Sequence, residues 1–175
     1  MPVRYMTVGI VAVKRKLSNP WIDFEWFPEA VLPGLPEVAP QTLIGQEGTS
    51  ERWYLGPAEL TLHSGETSHY RDNLVSGRPA VWVALREDGE GLWRVAGATI
   101  DPYEGEAFVD VVTDRVEALP MPHEIAVELQ AFFDAHHVEQ TFFKRKRDRK
   151  DDNAVEPVGL GHPANLRRPP GGGQS

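Results

Sequence analysis

The stretch A-V-W-V-A-L-R-E-D-G-E-G-L-W-R-V-A-G-A-T-I, residues 80–100, decides the fold class. Ala80–Leu85 and Leu92–Ile100 are apolar runs of strand length, and the acidic, glycine-rich Glu87–Gly91 between them suits a solvent turn. The pattern predicts an antiparallel hairpin. Just downstream, Asp101-Pro102-Tyr103-Glu104 predicts a helix start, with Asp101 as cap, Pro102 where no donor is needed, and Glu104 bonding back to the cap. That helix is short, ending before Val109, and Val111–Leu119 reads as a further strand. Pro120 and Pro122 introduce the main C-terminal helix, over 122–137. Its inner stripe is Ile125, Leu129, Phe132, Phe133 and His136, with Glu124, Glu128 and Asp134 toward water.

Upstream, Glu66–Val75 reads as a short helix with Tyr70 and Leu74 on its buried side and Gly77 as its stop. Arg52–Leu55 and Glu59–His63 read as a strand pair flanking a bend or bulge at Gly56-Pro57. Residues 33–50 read as a long surface loop. Trp21–Phe27 alternates as a half-wet strand, Pro28, Pro33 and Pro36 break regular structure, and Val31-Leu32 extends an edge strand between them. Ser18-Asn19-Pro20 is a turn, and Val3–Val13 is apolar on both alternating faces, a strand covered on both sides. The expected fold is α+β: a mostly antiparallel β-sheet or small barrel with two short helices and a longer C-terminal helix. One domain is expected over residues 1–150, ending in a basic segment, with a disordered tail over 151–175.

Composition excludes several chemistries. The chain has 175 residues and no cysteine, so it carries no thiolate for an iron–sulfur cluster, a persulfide or a dithiol relay. Only His and carboxylates remain as metal ligands. No apolar run reaches membrane-spanning length, and Lys14-Arg15-Lys16 follows the apolar Met6–Val13 rather than preceding it as in a secretory signal; a cytoplasmic protein is expected. Charge is uneven. Residues 1–143 hold 10 Lys+Arg against 22 Asp+Glu, a net −12, whereas residues 144–175 hold 8 against 4, a net +4. An acidic globule with a basic tether results.

Candidate sites are few. His136 and His137 are adjacent on a helix end, so their side chains diverge by about 100°, a poor chelate beside the i, i+4 pairs of zinc helices. His136 is expected to cap the apolar face and His137 to face solvent, both at the favourable negative end of the helix dipole. His63 and His69 flank a turn without an evident third ligand. Asp101, Glu104 and Glu106 could pair as carboxylates, but a capping box explains the first two. Nucleophile-elbow, P-loop and dinucleotide motifs are absent from the sequence. No cofactor is expected, and the balance leans away from an enzyme. Six cations crowd Lys144–Lys150, a cluster open to reading as a solvated extension, a protein-docking handle or a nucleic-acid patch, with Phe142 and Phe143 beside it. Trp21, Phe24, Trp26 and Phe27 form an aromatic group that either packs in the core or exposes an interface.

Five segments together resemble a known family. They are V-G-I-V-A-V-K-R-K-L-S-N-P-W at Val8–Trp21, A-V-L-P-G at Ala30–Gly34, E-T-S-H-Y-R-D-N-L at Glu66–Leu74, S-G-R-P-A-V-W-V-A-L-R at Ser76–Arg86, and H-H-V-E-Q-T-F-F-K-R-K-R at His136–Arg147. Their order and spacing resemble the bacterial family called domain of unknown function 3305. Such proteins tend to be encoded beside molybdenum-dependent formate dehydrogenase subunits and their chaperones. The resemblance implies a non-enzymatic accessory or maturation factor that binds a formate dehydrogenase subunit or its chaperone. His136, His137, Lys144, Arg145, Lys146 and Arg147 are the expected binding edge for the partner or an anionic cofactor. The alternative is a nucleic-acid-binding regulatory module that uses the same basic cluster.

Overall fold

Two antiparallel sheets and three helices make up the computed structural model, which describes residues 1–139. The first sheet contains β1 (Val3–Asn19), β2 (Ile22–Leu32), β3 (Thr42–Glu47) and β4 (Ser50–His63), in the order β2-β1-β4-β3. The second contains β5 (Ala80–Glu87), β6 (Trp93–Thr99) and β7 (Asp114–Pro120), in the order β6-β5-β7. The helices are α1 (Thr67–Val75), entered through a 3₁₀ turn at Ser64–Glu66, α2 (Pro102–Phe108) and α3 (His123–His136). The fold is α+β. The small-barrel alternative is not realised: the sheets come close along β2–β7 and β4–β6 but remain separate hydrogen-bonded units.

The core lies between the sheets and follows from strand alternation. Val8, Ile10 and Ala12 of β1 and Leu60 and Leu62 of β4 meet Val81, Val83 and Leu85 of β5. Tyr70 of α1 and Ile125, Leu129 and Phe132 of α3 join the same cluster. Register places the helices at one end: β4 finishes there at His63, and β5 begins there at Ala80 opposite Pro120. At the other end lie the β1–β2 turn and the β5–β6 turn. The two helix stripes read from the sequence hold, with Tyr70, Ile125, Leu129 and Phe132 buried and Leu74 and Phe133 half-buried.

Four local expectations are corrected. Residues 33–50 are not all loop, because Thr42–Glu47 forms β3 and turns into β4 through Gly48-Thr49, with Glu47 opposite Ser50. Gly48 has φ 58°, the left-handed conformation such a tight turn requires at little cost only of glycine. Arg52–Leu55 and Glu59–His63 are one strand, not a pair; the bulge sits between them, where Ile10 faces Gly56 but Val11 faces Tyr54. Gly56 there has φ 135°. Pro28 does not interrupt β2, since it pairs with Ala12 on an edge strand, where a missing donor is tolerated. β1 itself runs on to Asn19, so it and β2 extend as a long hairpin closed at Pro20-Trp21. The basic segment 144–150 and the expected tail 151–175 lie outside the described residues.

Candidate binding site

Asp101 gathers the polar groups at the helical end. Its backbone is extended (φ −82°, ψ 114°), so its side chain caps α2, accepting from the Tyr103 and Glu104 amides at 2.9 and 3.5 Å. The other carboxylate oxygen lies 2.7 Å from His69 Nδ1. Asp101 is only 6% exposed, and this bond joins α1 to α2. Glu104 does not bond back to the cap amide as expected. Thr99 Oγ1 accepts from the Asp101 amide at 3.1 Å and donates to Glu104 at 2.5 Å, relaying the capping box through a hydroxyl. The Tyr103 ring lies 4.5 Å from that of His69, and its hydroxyl donates to Asp72 at 3.0 Å, which holds the phenol above its usual pKa.

Such a carboxylate-oriented imidazole can present its second nitrogen for proton transfer. Among the described residues no hydroxyl is hydrogen-bonded to that nitrogen. His69 is engaged by Asp101, and no group of three or more His, Asp or Glu suited to a metal occurs among the described residues.

His136 and His137 take different partners. The His136 ring packs on Phe132 at 4.6 Å, as expected of a cap on the apolar face. His137 does not face solvent: its ring stacks on Phe133 at 4.3 Å, and its Nδ1 lies 3.1 Å from Thr67 Oγ1. A helix ends there, and the first residue beyond it turns back onto the α1–α3 seam. Lys144, Arg145, Lys146 and Arg147, with Phe142 and Phe143, lie outside the described residues.

The open end is different in character. A cleft of about 760 Å³ is lined there by Lys14, Phe24, Glu25, Trp26, Trp93 and Arg115, among others. Trp93 is held in place by Gln41, whose Nε2 donates to its carbonyl at 2.9 Å. Lys14 Nζ stands 4.3 Å from the Phe24 ring centroid and 5.8 Å from that of Trp26, and the Arg115 guanidinium stands 5.9 Å from Trp93. Trp21, beside the cleft, is 90% exposed, and Ile22 and Phe24 on its rim are 49% and 43% exposed. The aromatic group thus divides: Trp26 packs against the core edge and against Trp53 at 5.9 Å, whereas Trp21 and Phe24 form surface.

The family profile described as "Protein of unknown function (DUF3305)" matches residues 7–147. The chain belongs to the DUF3305 family. No curated protein and no solved structure matches it. The matched span takes in the hairpin, the cleft, the His69–Asp101 pair and His136 and His137 of this DUF3305 protein.

Sequence reasoning missed the His69–Asp101 bond and the cleft in the DUF3305 chain. Asp101 was legible as a cap, but nothing local links it to a histidine 32 residues away. The cleft had a signal that went unused: the inward positions Val8, Ile10 and Ala12 continue in step to Lys14, a charge on a core-facing stripe.

Proposed function

We propose that this DUF3305 protein is a non-enzymatic accessory or maturation factor, acting by protein binding, for a molybdenum-dependent formate dehydrogenase in the bacterial cytoplasm. The exposed apolar end of the β1–β2 hairpin carries the protein-binding part of the reading. Trp21 sits almost fully exposed at the β1–β2 turn, with Ile22 and Phe24 half-exposed beside it. Trp21, almost wholly in water, forgoes roughly 1.5–3 kcal/mol that a partner would recover, and half-exposed Ile22 and Phe24 forgo a part of that each. Trp in particular concentrates binding energy at interfaces. The choice of dehydrogenase rests on the family resemblance, whose members tend to be encoded beside these enzymes. Lack of cysteine keeps sulfur transfer and electron relay out of the role.

Co-purification of the tagged chain from cells making the dehydrogenase tests this. Wild type is expected to retain a dehydrogenase subunit or its chaperone. The substitution Trp21→Ala is expected to lose most of it, with an unchanged melting temperature. Substituting Lys144, Arg145, Lys146 and Arg147 by Ala measures what the basic cluster adds. Full retention by the hairpin variant removes the hairpin from the reading. Recovery of nucleic acid instead, with affinity falling steeply in salt, favours the regulatory alternative.

A further inference from the structure

We propose that the cleft at the open end is a binding site for an organic anion with an aromatic or apolar body. Three observations converge on it. The inward stripe of β1 passes from Val8, Ile10 and Ala12, each at most 1% exposed, to Lys14. A cation on a core-facing stripe is costly unless something there uses it. Both cations of the cleft are then held by rings, not by tight ion pairs. Lys14 lies 3.9 Å from its nearest carboxylate, Glu51, and Arg115 Nε lies 3.5 Å from Glu25. Neither is hydrogen-bonding geometry. The Arg115 Nε atom is buried and has no hydrogen-bond partner among the described residues.

The same protein makes close ion pairs elsewhere. Arg86 grips Asp114 through two bonds of 2.6 and 2.8 Å on the neighbouring strand position. The loose pairing in the cleft therefore leaves donor capacity that an incoming carboxylate or phosphate satisfies. Phe24, Trp26 and Trp93 supply apolar wall for the body of the ligand, and the cleft volume falls in the range of ligand sites. A cationic guest is disfavoured, because Lys14 and Arg115 already occupy the vicinity of those rings. Glu25 and Glu87 also line the cleft, so a monoanion fits better than a polyanion. A free small molecule and an acidic side chain set among apolar residues of a peptide share this chemistry.

Calorimetric titration of the full chain with 2-naphthoate tests the site, alongside neutral 2-naphthalenemethanol and cationic 2-naphthylmethylammonium. Naphthoate is expected to bind at least tenfold more tightly than either. Lys14→Gln and Arg115→Gln are each expected to weaken it by on the order of tenfold, while Arg94→Gln, outside the cleft lining, leaves it unchanged. Should Arg115→Gln fail to fold, Lys14→Gln carries the comparison. A blocked peptide alternating Glu with Leu and Phe identifies the source. Tighter binding than naphthoate points to a partner segment, and weaker binding to a free small anion. Equal affinity for all three naphthalene probes, or no binding at millimolar concentration, overturns the proposal.

Discussion

At the scale of single residues, Asp101 joins two helices through one side chain. One nearly buried carboxylate caps α2, fixes the His69 ring and so ties α1 to α2. Asp101→Ala removes the cap and leaves the His69 Nδ1 and two amides without their acceptor. A loss of about 2–3 kcal/mol is expected in urea unfolding. Tyr70 makes a second, pH-dependent prediction. Burial, aided by the nearby Glu66 carboxylate, pushes its phenol well above the ordinary value. An unfolded tyrosine ionises near pH 10, whereas the folded one keeps its proton. Its contribution to stability is therefore intact below about pH 10 and is lost as pH rises from there toward the folded value. Tyr70→Phe is expected to be less stable at neutral pH, since the His63 amide loses its acceptor at 2.9 Å, but to show a shallower alkaline decline. An equally steep decline in the variant contradicts the assignment. The capping role of Asp101 was legible because it is local. The partners of Asp101 and of Tyr70 beyond their own segments were not, because packing alone brings them together.

Among elements, α2 packs tightly against β5. A Cβ on Gly105 would fall inside the Trp82 indole, so α2 lies against that ring with no space to spare. Gly105→Ala is expected to displace the helix and cost at least 2 kcal/mol, read as a fall in melting temperature with altered Trp fluorescence. An unchanged melting temperature would mean that the helix shifts freely. The elements with strong periodicity were legible: the β5–β6 hairpin, α3, and the buried sides of α1 and β4. β3 was not, because Thr42–Glu47 is a short edge strand with Leu43 and Ile44 exposed and Gly45 at a register shift. Such a strand owes its conformation to pairing with β4 more than to its own pattern. Gly48-Thr49 was its one readable mark. Likewise, Gly56-Pro57 reads in isolation as either a bend or a bulge. Pairing with an unbroken β1 decides for the bulge and makes the two flanking runs one strand.

Across the described residues 1–139, the two ends of the paired sheets differ: helices cover one and none covers the other. Helices α1 and α3 add Tyr70, Ile125, Leu129 and Phe132 to the core at the first, while aromatic rings, two loosely paired cations and an exposed tryptophan mark the second. That polarity was beyond the sequence, since it depends on which strand ends share a side. The central claim is that the open end meets a protein partner. Hydrogen–deuterium exchange of the purified chain, with and without the purified dehydrogenase, tests this most directly. The account predicts new protection concentrated in residues 14–27, with α1 and α3 unchanged. Protection absent from that hairpin, or confined to the helical end, would contradict it.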